Sequence, residues 1–126
     1  MGPPVRGLLD TSVIVAGSRP TLDEAAISAM TLAELHYGVL RARTGGERAS
    51  RLQRLALVES EFDPLPIDGD VARAYGAIVA GARAADKRPK TADALIAATA
   101  AAHGLAVYTH DADFEGLPGV DVVVLR

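Results

Sequence analysis

The chain has 126 residues, 49% of them hydrophobic and 23% charged, with a formal net charge of -3. This composition can bury a core; it excludes a disordered chain and argues against the blanket basic surface of a simple nucleic-acid binder, though not against a nuclease with an acidic centre and a basic rim. There are no cysteines, so disulfides and thiolate metal sites are excluded.

The opening six residues, Met-Gly-Pro-Pro-Val-Arg, match no signal peptide, and Arg6 stands where a myristoylation signal carries Ser or Thr. No apolar run approaches the ~20 residues of a membrane helix. The expectation is one soluble, cytoplasmic domain over residues 1–126, without a membrane span.

In chain order, an apolar run over 5–9 ends abruptly in Asp10, followed by the hydroxyl residues Thr11 and Ser12. This is how a buried strand delivers an acid to the edge of a sheet. Residues 11–17 read as a short helix or turn that Pro20 ends. A second apolar run over 25–30 has strand length. Thr31 then opens a helix carrying Leu32, Leu35, Val39 and Leu40, and Gly45-Gly46 stops it. The spacing of Leu52, Leu55, Ala56 and Glu59 predicts a helix over 47–61, with Arg48, Arg51 and Arg54 on another side. Pro64 and Pro66 limit 62–67 to an edge strand or an extended connection.

Residues 70–86 form the clearest amphipathic helix, through Val71, Ala74, Tyr75, Ile78, Val79 and Ala82. Lys87-Arg88-Pro89-Lys90 is a basic loop. A helix apolar all round follows over 91–103, with Gly104 as its C-terminal cap. Residues 105–108 make a short buried strand, 109–115 an acidic turn, and 120–125 the last strand. With few aromatics and no Trp, Ala, Leu and Val must fill the core, which suits helices packed closely on a sheet. Strands alternating with helices predict an α/β sandwich with a largely parallel sheet, whose sites form beyond the carboxyl ends of the strands.

Asp10, Glu34, Asp93, Asp111 and Asp113 all fall at strand ends or helix starts. Each has a plain alternative. Asp10 is a good helix cap. Thr31 and Glu34 have the spacing of a capping box. Asp111 and Asp113 suit a turn. Asp93 differs, being the one charge in an otherwise apolar helix, where a carboxylate is costly unless paired or bound to metal. Several acids at one edge repel one another unless a cation joins them, and hard oxygen donors without cysteine point to Mg²⁺ or Mn²⁺. Thr11, Ser12 and Thr109 flank the acids and can orient carboxylates or simply serve local turns. His36 points off the Glu34 face, His103 sits at a helix end, and His110 adjoins Asp111. The Lys87, Arg88 and Lys90 loop, just before Asp93, is the better candidate for a phosphate backbone; most of the remaining basic residues read as solvated.

With these acids in register, the chain resembles a PIN-domain ribonuclease of the VapC toxin type. The matching stretches are Leu8-Leu9-Asp10-Thr11-Ser12, Ile27 through Leu35, Thr91 through Ala97, and Thr109-His110-Asp111-Ala112-Asp113-Phe114. The resemblance implies a PIN-like three-layer sandwich with a mostly parallel central sheet. It implies an acidic pocket of Asp10, Glu34, Asp93 and Asp111, with Asp113 sharing the fourth acid's role, that binds Mg²⁺ or Mn²⁺. It further implies cleavage of tRNA or rRNA, arrest of translation, a homodimer and a VapB-type antitoxin laid over a groove that the helix around Leu32 and Val39 helps to form. A phosphatase of the haloacid dehalogenase class would want an acid where Ser12 stands. A signalling receiver would want a late Lys, and after Lys90 the only Lys or Arg is Arg126. The remaining alternative is a PIN-like module that binds RNA or protein without cutting.

Overall fold

A computed structural model describes residues 2–126; Met1, part of the expectation for the chain's start, lies outside them. The elements run β1 (Arg6–Leu9), α1 (Thr11–Ala16), β2 (Glu24–Ala26), α2 (Ala29–Leu40), α3 (Gly45–Glu61), α4 (Gly69–Ala84), α5 (Thr91–Ala102), β3 (Ala106–Thr109), a 3-10 turn (Ala112–Gly116) and β4 (Val122–Val124). The four strands form one parallel sheet in the order β2-β1-β3-β4.

Successive side chains of a strand face opposite ways, and β1 uses this to build both sides of the sheet. Leu8 joins Ile78, Ile96, Val107 and Phe114 beneath α4 and α5. Leu9 joins Val13, Ile27, Leu35, Val39 and Leu55 beneath α1, α2 and α3. The result is three layers, helices on both faces of a parallel sheet, as expected. The small side chains of α5 explain how tightly it fits: Ala94, Ala97, Ala98 and Ala100 are wholly buried. Gly7 serves a close approach on β1, since a β-carbon there would lie 2.5 Å from the Tyr108 ring on the neighbouring strand.

Several boundaries differ from the sequence reading. The apolar run over 25–30 is not one strand. β2 ends at Ala26, and Ser28 caps α2, its hydroxyl accepting from the Met30 N–H at 3.0 Å. Ile27 therefore belongs to the core, while Ala29 and Met30 already lie in the first helical turn. Gly45-Gly46 opens α3 instead of stopping the helix before it, because Thr44 caps α3 by accepting from the Glu47 N–H at 3.1 Å. The proline-bearing connection meets the sheet edge at one bridge, Leu65 beside Ser28. β4 is shorter than 120–125, since only Val122–Val124 pair with β3. Among the described residues, no helix is long and apolar enough to cross a membrane.

Candidate active site

β1 and β3 are adjacent and parallel, so their carboxyl ends lie side by side. Asp10 follows β1 directly, and Asp111 follows β3 after His110. Asp93 enters from the first turn of α5 and Glu34 from the second turn of α2.

Asp10 occupies the cap position of α1, yet its side chain makes no capping hydrogen bond. The carboxylate turns the other way and is only 4% exposed. Its Oδ2 accepts from Ser12 Oγ at 2.7 Å and from Thr109 Oγ1 at 2.8 Å. The direction of both bonds follows from backbone donors behind the hydroxyls. Ser12 Oγ accepts the His110 N–H at 3.0 Å, and Thr109 Oγ1 accepts the Asp111 N–H at 2.9 Å. Each hydroxyl is thereby left to give its proton to Asp10, while Oδ1 accepts no hydrogen bond among the described residues.

Glu34 is also freed from capping, because Ser28 and not Thr31 caps its helix. Thr31 is buried inside α2. Glu34 Oε1 instead accepts from Thr11 Oγ1 at 2.6 Å, whose oxygen lies 3.0 Å from the Thr31 hydroxyl. Thr11, Ser12 and Thr109 thus all touch the acids or their partners.

Asp93 lies within electrostatic reach of the other three acids. Burial pushes its carboxyl from the ordinary 3.8 up to about 6, and the charges of Asp10, Asp111 and, more weakly, Glu34 push the same way. Lys90, beside it at the start of α5, opposes them. Asp113 is not among the charges acting on Asp93. It is exposed, its N–H donates to Asp111 Oδ1 at 2.9 Å, and its side chain faces a cleft of about 630 Å³. Lys87, Arg88, Lys90 and Asp93 line the same cleft. Among the described residues, no three acid or histidine side chains close around a single point as a ready metal cage.

The histidines stand outside this set. His36 is exposed and reaches Glu59 at 3.7 Å. His103 ends α5. The His110 ring ties the chain just after β4 to the loop after α1, with Nδ1 3.2 Å from the Leu125 carbonyl and Nε2 2.6 Å from Ser18 Oγ. Sequence reasoning missed that tie. It expected a groove on the helix around Leu32 and Val39; the structure buries Leu35 and Val39 in the core and leaves a groove beside Glu34 whose lining includes Tyr37, Arg41 and Arg54. The signal for its basic lining is Arg41 after α2 and Arg54 within α3, residues whose sequence context reads equally as a solvated face.

Residues 7–120 match the PIN-domain family model. The chain is 39% identical over 127 residues to ribonuclease VapC4 of Mycobacterium tuberculosis, covering 95% of this chain and 97% of that protein. It is 42% identical over 131 residues to ribonuclease VapC5 of the same organism, covering 98% and 96%. The crystal structure of VapBC-5 from Mycobacterium tuberculosis, a member of the VapBC family of toxin-antitoxin systems, superposes with a TM-score of 0.86 at 36% identity, covering 97% of this chain and 100% of that one. An acidic centre at the carboxyl edge of a four-stranded parallel sheet, and relatives that match from end to end, lead to one assignment: this chain belongs to the PIN-domain family, among the VapC proteins.

Proposed function

We propose that this chain is the toxin of a toxin–antitoxin pair, a Mg²⁺-dependent endoribonuclease (with Mn²⁺ as the alternative ion) that cuts structured RNA such as tRNA or rRNA. Cleavage in the cytoplasm would stop translation. The observation that carries this reading is the buried Asp10 carboxylate at the carboxyl edge of the sheet, held there by Ser12 and Thr109, with Asp111 beyond the neighbouring strand and Asp93 near enough to be pushed up by burial and by the charges of Asp10 and Asp111. Carboxylates crowded in this way make a site where a cation relieves repulsion.

The donor set fits a hard divalent ion. It offers carboxylate oxygens and no sulfur, and its acids stand along the carboxyl edge of the sheet without closing on one point among the described residues. Mg²⁺ keeps much of its water and is held by one or two carboxylates together with phosphate oxygens. Asp10, Asp93 and Asp111 would hold the ion, with Asp113 a further donor from the cleft, and Glu34 completes the negative wall. When bound, the ion supplies the charge that acidifies water and neutralises phosphate oxygens. Ser12 and Thr109 hold Asp10, and Thr11 holds Glu34, in fixed orientation. Lys87, Arg88 and Lys90 would draw the RNA backbone into the cleft. Water attacks phosphorus, the bond to the 3′-oxygen breaks, and the products carry a 5′-phosphate and a 3′-hydroxyl.

A VapB-type antitoxin partner and a homodimer complete the proposal. The partner is supported by the likeness to VapBC-5. The purified protein, given a mixture of cellular RNAs, is expected to cut it with Mg²⁺ and to stop when EDTA is added. Sequencing the new ends after induced expression would identify the RNA. RNA binding without metal-dependent cutting would instead favour a module that only binds.

A further inference from the structure

We propose that the RNA chain occupies two basic channels that meet at the acids, the second being the groove between α1, α2 and α3, where Arg41 and Arg54 hold phosphates and Tyr37 stacks a base. The inference rests on the ribonuclease reading above and extends it to the far side of the cut.

Both channels open onto the same acidic edge. The Lys87–Lys90 cleft has Asp93 in its wall. The groove, about 650 Å³, has Glu34 and its partner Thr11 in its wall. The two walls join through Asp10: Thr11 in the groove wall follows it directly, and Thr109, which donates to it, leads through Asp111 to Ala112 and Asp113 in the wall of the cleft. An RNA chain crossing a group of carboxylates is repelled there and needs positive charge on both sides to remain in place.

The groove supplies cations that are not already spent. Arg51 is committed, donating at 2.6 Å to both the Gly38 carbonyl and Glu47. Arg41 and Arg54 are in no ion pair among the described residues; the pairs there join Arg51 to Glu47, Arg73 to Asp70 and His36 to Glu59. The Arg41 guanidinium lies 5.6 Å from the centre of the Tyr37 ring, which is 62% exposed. An exposed aromatic beside an unpaired arginine is how sequence-tolerant sites hold unstacked bases and their phosphates.

The test is binding of a short single-stranded oligoribonucleotide, by fluorescence anisotropy over a range of salt, to a non-cutting Asp10→Asn background with Mg²⁺. Each phosphate contact on a single strand contributes about 0.7 to the slope of log affinity against log salt. Adding Arg41→Gln and Arg54→Gln together should flatten that slope by about 1.4. The pair Arg43→Gln and Arg48→Gln removes equal charge from neighbouring exposed positions outside the groove and should leave it as it was. Tyr37→Ser should weaken binding at least about fivefold without changing the slope. Equal slopes for the two arginine pairs would overturn the proposal. So would unchanged RNA binding in Arg41→Gln/Arg54→Gln together with release of a co-purifying antitoxin, which would assign the groove to a protein. Failure of the unmodified chain to cut RNA with Mg²⁺ would sink the ribonuclease reading by itself, whereas the slope decides the groove.

Discussion

A carboxylate withdrawn from water needs donors or a cation, and Asp10 and Asp93 meet that need differently. Asp10 has two hydroxyl donors on one oxygen. Asp93, half-buried and facing three other acids, holds its proton up to about 6 against an ordinary 3.8. The folded protein therefore binds that proton more tightly than the unfolded chain, and ionising Asp93 weakens the fold. In EDTA the loss of stability should begin as pH rises past 3.8 and be complete above about 6. Asp93→Asn should abolish that fall in a thermal melt, and Mg²⁺ should raise the midpoint of the unmodified protein above pH 6 by binding only the folded state. A melt whose pH profile is the same in Asp93→Asn would contradict this. Thr109, fully buried, both donates to Asp10 and receives the Asp111 N–H. Thr109→Val should lower Mn²⁺ affinity, read by calorimetry, about 10–100-fold; unchanged affinity would deny Thr109 its positioning role.

At the scale of elements, the start of α2 decides what Glu34 can do. Ser28 caps the helix and also meets the buried Thr99 hydroxyl at 3.1 Å. Ser28→Ala should destabilise the protein by about 1–2 kcal/mol in denaturant unfolding, since it removes a cap and a buried partner; a loss under ~0.5 kcal/mol would deny it that role. The alternation of strands and helices was legible because apolar periodicity is a local signal. The start of α2 was not, because Ile27, Ala29 and Met30 continue an apolar run across the cap. The acids themselves were legible through a topological rule, that sites form beyond strand ends. Their orientation was not. Whether Asp10 caps α1 or turns into the site depends on Thr109, brought beside it only when β1 pairs with β3. A groove on α2 was legible, but its basic lining was hidden for the same reason, since Arg41 and Arg54 share a wall only once α2 and α3 fold against each other.

At the scale of the whole molecule, a net charge of -3 conceals a division of labour. Acids gather at one edge of the sheet, while Lys87, Arg88 and Lys90 line a cleft with Asp93, and Arg41 and Arg54, in no ion pair among the described residues, line the groove with Glu34. Both helical layers contribute, since Glu34 rises from one face of the sheet and Asp93 from the other. The sheet is thus the plate that sets the separation of the acids. The central claim is that these carboxylates form one metal-dependent cutting centre. The most direct measurement is cleavage of an RNA mixture in Mg²⁺ by the unmodified protein and by Asp10→Asn and Asp93→Asn, with circular dichroism to show that each is folded. Loss of several kcal/mol of charge stabilisation corresponds to at least ~100-fold in rate, so both folded variants are expected to fall by that factor or more. Metal-dependent cleavage retained by both would contradict the account.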